Sequence, residues 1–176
     1  YRAEKDSLKF FEVLQSGFAR YPRSKYFFTH LFDYYFKRGE IEQSKALCDD
    51  AIEADSVNII ALFAKSTVLL AQKDYDNCIS LCDKIISLDN NHAEAYLNAS
   101  LAYFNQAVKI DNSKNRSREK RSQMIALYRK ALPYMLTYRK LAPDAKEQWA
   151  MPLYTIYLNL NMGKEFDEVD AIVKSM

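Results

Sequence analysis

Cys78 and Cys82 stand four residues apart in the stretch Cys78-Ile79-Ser80-Leu81-Cys82. On a helix that spacing puts both thiols on one face, where they could chelate a soft metal. A structural zinc takes about four ligands, and the only histidines, His30 and His92, fall at unrelated places. The third thiol, Cys48, lies 34 residues before Cys82. That shared step reads both thiols as small apolar fillers of a repeated core position. An odd count of cysteines makes no disulfide framework and fixes no redox compartment.

The remaining routes to chemistry are equally thin. Neither histidine has a nucleophile beside it, so no Ser-His-Asp set forms. The acidic residues are scattered at surface spacing, as in Glu42-Gln43 and Asp49-Asp50. With glycines only at 17, 39 and 163, no Gly-rich loop can cradle a phosphate. The residues therefore imply no enzyme, no cofactor and no metal.

The elements that carry these side chains follow from composition and period. Of 176 residues, 49% are hydrophobic and 27% charged, while Gly is 3 and Pro 4; so few turn-formers cannot punctuate a sandwich or barrel, and the chain is expected to be all-helical. A net charge of +2 selects neither nucleic acid nor membrane by its field. The longest apolar run, Ile59 to Ala64, is far short of the ~20 residues of a membrane span. The chain opens at Tyr1 without Met and is read as a fragment or processed form, with cytoplasm and cell envelope both open.

The sequence also repeats. Leu47-Cys48-Asp49 recurs as Leu81-Cys82-Asp83, with Ile52 matching Ile86 and Asp55 matching Asp89; Phe28, Leu62 and Tyr96 follow the same 34-residue step, as do Tyr35, Leu69 and Tyr103. Each period splits into two apolar-periodic segments joined by a polar turn, such as Lys37-Arg38-Gly39-Glu40 or Gln72-Lys73-Asp74. A helix-turn-helix unit of this length cannot bury its apolar face alone and must stack on its neighbours.

The pattern resembles the tetratricopeptide repeat. Residues 25–58 match it at Phe28, Leu31, Tyr35, Gly39, Ser44 and Ala51, with Cys48 in an aromatic slot and Phe32 where a small residue is usual. Residues 59–92 match at Leu62, Ser66, Leu69, Tyr75, Cys78 and Leu88, with Lys65 departing from the usual Leu. Residues 93–145 carry Tyr96, Ala99, Ser100 and Tyr103, then, past an insertion, Ala131, Met135 and Pro143. Residues 146–176 open with Trp149 but hold Pro152 and Leu153 in the Leu-Gly slot, and their turn is placed late, at Gly163. Residues 6–22 read as a second helix alone, with Leu14, Gly17 and Pro22 in place. The resemblance implies one domain over 1–176, a right-handed α-solenoid of antiparallel helix pairs. The Tyr-, Asn- and Lys-rich style is similar to such proteins from bacteria of the Bacteroides kind.

Two places break the period. About 19 residues are inserted between Ala107 and Tyr128, where the helices are expected to lengthen to about Ile110 and restart near Ser117 around a protruding polar loop. Residues 109–121 hold Lys109, Lys114, Arg116, Arg118, Lys120 and Arg121 against Asp111 and Glu119, a local net of +4. This basic hairpin is a candidate handle for an acidic partner, a phosphate backbone or anionic lipid. It lacks aromatics spaced for base stacking, which disfavours nucleic acid and leaves a solvated loop as the plainer account. Pro133 is expected to kink its helix, and Pro152 to kink another or mark its start. Asp144 to Glu147 read as a capping box.

The function the resemblance implies is a non-catalytic scaffold binding protein or peptide in the concave groove of successive first helices. The recurring slots there hold Tyr26, Thr29, Asp33 and Phe36, then Ile60, Phe63, Thr67 and Leu70, then Glu94, Leu97, Leu101 and Phe104. The family's carboxylate clamp needs Lys, Asn and Arg, whereas Thr29, Phe63, Asn98 and Leu97 stand here. What remains is an apolar stripe, Ile60, Phe63, Leu97 and Leu101, edged by Asp33 and Glu94, suited to a peptide with apolar anchors. The competing readings are an accessory module of a longer envelope or regulatory protein, anion contact through the hairpin, and a stripe already covered by another helix or a second copy of the chain.

Overall fold

The computed structural model describes residues 2–111 and 117–176, with side chains described from Lys9 onward. Within them the chain forms α1 (Arg2–Arg20), α2 (Lys25–Lys37), α3 (Ile41–Ala54), α4 (Ile59–Ala71), α5 (Tyr75–Leu88), α6 (Ala93–Asp111), α7 (Arg118–Leu141), α8 (Lys146–Leu160) and α9 (Gly163–Ser175). The 34-residue step is kept to the residue: α2 and α4 start and stop one step apart, and so do α3 and α5.

Local chemistry sets these boundaries. Asn58 Oδ1 accepts the Ala61 amide at 3.2 Å, and one step later His92 Nδ1 accepts the Ala95 amide at 3.2 Å, capping the starts of α4 and α6. Asp55 and Asp89 fold their carboxylates back onto the Val57 and Asn91 amides in Asx turns after α3 and α5. The turns after α2, α4 and α8 each hold one left-handed residue: Gly39 at φ 73°, Lys73 at φ 63° and Asn161 at φ 54°. In all three, the amide one residue on returns to the last turn of the preceding helix: Glu40 to Tyr35, Asp74 to Leu69 and Met162 to Tyr157.

Two sequence expectations are corrected by the boundaries of α8 and α9. The final turn pivots on Asn161, which tolerates the left-handed region, and Gly163 already opens α9. No capping box forms at Asp144: the N-cap of α8 is Ala145, with no side-chain bond. Pro152 lies inside α8 rather than at a later start, and α7 continues past Pro133 as one helix.

The first helices α2, α4, α6 and α8 approach one another closely along their backbones in succession, whereas the second helices α1, α3, α5 and α7 stand farther apart and meet through side chains. The closer row is the inner wall of a curved array. Cores lie between units: Leu14, Phe28, Leu31, Leu47 and Cys48 between α1, α2 and α3, then Leu62, Leu69, Cys78, Cys82, Ile85 and Ala99 across α4, α5 and α6. Each fully buried Leu or Ile contributes about 1.5–3 kcal/mol. All three thiols are buried. Burial pushes the Cys48 thiol up to about 12. Cys78, which donates to Cys82 and is itself buried, also holds its proton above the usual thiol range.

The insertion does not simply protrude. Ile110 and Ile125 pack with Met124, Tyr128 and Ala107 against Ile156 and Leu160 of α8, so its base is a fourth core cluster. The reason is apolar content that the basic residues concealed, at 110, 124, 125 and 127.

Candidate functional site

The residues predicted to line the groove divide into an exposed and a packed set. Tyr26 on α2 is 55% exposed and Ile60 on α4 is 36% exposed. Tyr26 meets the His30 ring edge-on, with centroids 4.5 Å apart. Asp33 is exposed and pairs with Lys37 one turn on, at 3.2 Å; Glu94, also exposed, lies 3.7 Å from His92 Nδ1.

Phe63 is half-buried. Its ring packs on the cluster that includes Ala95 and Ala99 of α6 and lies 5.1 Å from the His92 ring. Leu97 and Leu101, also half-buried, pack on the cluster of Met135, Trp149 and Leu153 from α7 and α8. These three side chains help to hold successive helices together.

Thr67 belongs to a polar staple that pattern reading set aside. Asn98 Nδ2 donates to Ser66 Oγ at 3.1 Å and to Thr67 Oγ1 at 3.2 Å, joining α6 to α4, while both hydroxyls donate back to the Phe63 carbonyl. Asn98 is only 7% exposed. The signal for it was an amide standing amid Ala95, Ala99 and Ala102, where a leucine would pack as well. A buried amide persists only when its hydrogen bonds are met.

At the far end, Lys120 and Arg121 line a cavity of about 290 Å³ with Ile110, Asp111, Ser117, Met124 and Asn159. Arg118 is exposed beside it; Arg116 and Lys114 lie outside the described residues. The Asp111 carboxylate in the same wall offsets the positive charge that an anion would need. Among the described residues no group of three or more His, Cys, Asp or Glu could hold a metal, and no helix is long and apolar enough to cross a membrane.

No family model matches the sequence, and no curated protein matches it. Solved structures do. A MamA RS-1 ArsTM double mutant aligns with a TM-score of 0.71 at 15% identity, covering 94% of this chain and 82% of that one. MamA 41-end from Desulfovibrio magneticus RS-1 aligns with a TM-score of 0.67, also at 15% identity, over 94% and 85% of the two chains. A tetratricopeptide repeat protein from Parabacteroides merdae aligns with a TM-score of 0.51 at 12% identity over 99% and 75%. The fold is a tetratricopeptide-repeat solenoid. Of the predicted groove residues, Tyr26, Asp33, Ile60 and Glu94 are exposed, whereas Phe63, Thr67, Leu97 and Leu101 are half-buried.

Proposed function

We propose that the array is a non-catalytic scaffold that binds an extended or helical peptide along its inner wall. The observation that carries this reading is the pair of exposed apolar side chains on successive first helices, Tyr26 and Ile60, with exposed carboxylates at Asp33 of α2 and Glu94 of α6. Apolar anchors together with exposed carboxylates suit a ligand with hydrophobic side chains and basic neighbours. The Asn98 staple supports the reading by fixing the spacing of α4 and α6, so that the groove is preformed and little ordering opposes binding.

A peptide library displayed on phage tests it. Selected sequences are expected to combine two apolar anchors with Lys or Arg. Ile60→Glu is expected to weaken the best of them at least about tenfold, or ~1.4 kcal/mol, with the melting temperature nearly unchanged because Ile60 is exposed. A library that yields no binder, or binders indifferent to Ile60→Glu and to Tyr26→Ala, would overturn the inner-wall reading.

A further inference from the structure

The outer face carries a second opening, between α1 and α3. The two helices form the walls of a cavity of about 450 Å³ floored by Leu31 and Tyr35 of α2. Because α1, α3 and α5 end one step apart, at Arg20, Ala54 and Leu88, this cavity can be compared position by position with the groove between α3 and α5.

Two lysines occupy that next groove. Lys65 rises from its floor to Asp49 at 2.5 Å, and Lys84 on its far wall donates across it to the Ser56 carbonyl at 2.8 Å. The third groove, between α5 and α7, is spanned by Tyr134, whose hydroxyl donates to Asp83 at 2.7 Å. In the first groove the floor position of Lys65 is Leu31 and the wall position of Lys84 is Asp50. Both cations are gone, and an acid stands where one of them was. Pro22, which takes the place of Ser56, lines the cavity with Asp50. Arg23 ties the first unit to the end of α3 by donating to the Ala54 carbonyl at 2.9 Å, but it does not line the cavity.

We infer that the α1–α3 cleft is a binding site for a lysine side chain of a partner protein, which supplies from outside the cation that Lys84 supplies from within one repeat later. The aliphatic stem lies on Phe18, Leu31 and Leu47, as lysine stems commonly cover apolar surface. The ammonium then faces the Asp50 carboxylate, beside the carbonyl-rich C-terminal end of α1, where the helix dipole favours a cation. Lysine is the side chain to which the comparison points, because the cation that crosses the next groove is Lys84, seated on a backbone carbonyl. This site lies on the opposite face from the inner-wall groove and does not depend on it.

The probe is Nα-acetyl-lysine N-methylamide, titrated into the 15N-labelled protein. Amide shifts are expected at Phe18, Ala19, Leu47 and Asp50, with a dissociation constant on the order of 1 mM. The norleucine analogue, which keeps the stem and lacks the ammonium, is expected to bind at least about tenfold more weakly. Asp50→Lys installs the lysine of the next repeat and should abolish the shifts; Asp50→Asn should weaken them, and decides the matter if the lysine variant fails to fold. Ile60→Glu should leave them unchanged. Absent shifts, equal binding of the norleucine analogue, or binding insensitive to Asp50→Asn would each overturn the proposal.

Discussion

The pairs α2/α3 and α4/α5 turn back after 13-residue first helices, whereas α6 and α7 run on to 19 and 24 residues before and after their connection. In the short pairs a single left-handed residue, Gly39 or Lys73, ends the first helix, and each core lies across the boundary with the next unit. In the long pair the added turns carry their own apolar residues and find their partner in α8. A repeat can therefore absorb extra length without losing its register, provided that the extra turns bring apolar surface that a neighbour can cover.

The comparison breaks first at Tyr128. Its ring is 1% exposed and packs edge-on to Phe104 at 5.7 Å. Tyr128→Ala is expected to cost about 3–5 kcal/mol in urea unfolding, as much as a large core residue of a regular unit. A cost below about 1 kcal/mol would return the extension to a surface appendage. Burial also pushes the Tyr128 hydroxyl up to about 12. A raised folded-state value means that this contribution is complete below pH ~10 and is lost as pH rises through about 12. Tyr128→Phe should flatten that alkaline decline.

Between the regular units, Asn98→Ala removes the amide that ties α6 to Ser66 and Thr67. The hydroxyls keep their bonds to the Phe63 carbonyl, so the expected loss is about 1–2 kcal/mol rather than that of an orphaned core group. Thermal unfolding measures it; no loss would show that packing alone sets the spacing of α4 and α6.

The turns sharpen the contrast at smaller scale. Lys73 holds φ 63° where its counterpart one step earlier is glycine. Lys73→Gly is expected to stabilise by about 0.5–1 kcal/mol, the left-handed strain relieved less the added chain entropy. Destabilisation would mean that the Lys73 side chain contributes more than its backbone costs. The smallest effect belongs to the connection of the long pair. Replacing residues 112–116 by two glycines is expected to change stability by no more than about 0.6 kcal/mol, since loop closure depends weakly on length. A fall of several degrees in melting temperature would place part of the core there.

Much of this was legible in the chain because the step recurs with little drift. Phe28, Leu62, Leu47, Cys48, Cys78 and Cys82 are buried as their spacing implies, and α6 and α7 break at Asp111 and Arg118, close to where a change of composition marks the insertion. The turn before α9 was less legible, because glycine is the stronger signal for a left-handed residue and Asn161 supplied the conformation instead. The base of the insertion was hidden for a related reason. Its charges dominate the composition of 109–121, while its apolar residues face α8, an element far along the chain.

By itself the sequence determined the helices, their period and the positions that must be buried, because those follow from local geometry repeated at a fixed step. Tertiary structure decided which half of an amphipathic face stays open. Leu97 and Ile60 are alike as residues, yet Leu97 is held against the cluster of Trp149 and Leu153 while Ile60 remains exposed. It also decided that Asn98 would reach two hydroxyls 31 and 32 residues away, and that Lys84 would cross one groove while Asp50 leaves its counterpart open. Such outcomes depend on distances between helices that meet only when the units stack, and no spacing within one helix encodes them.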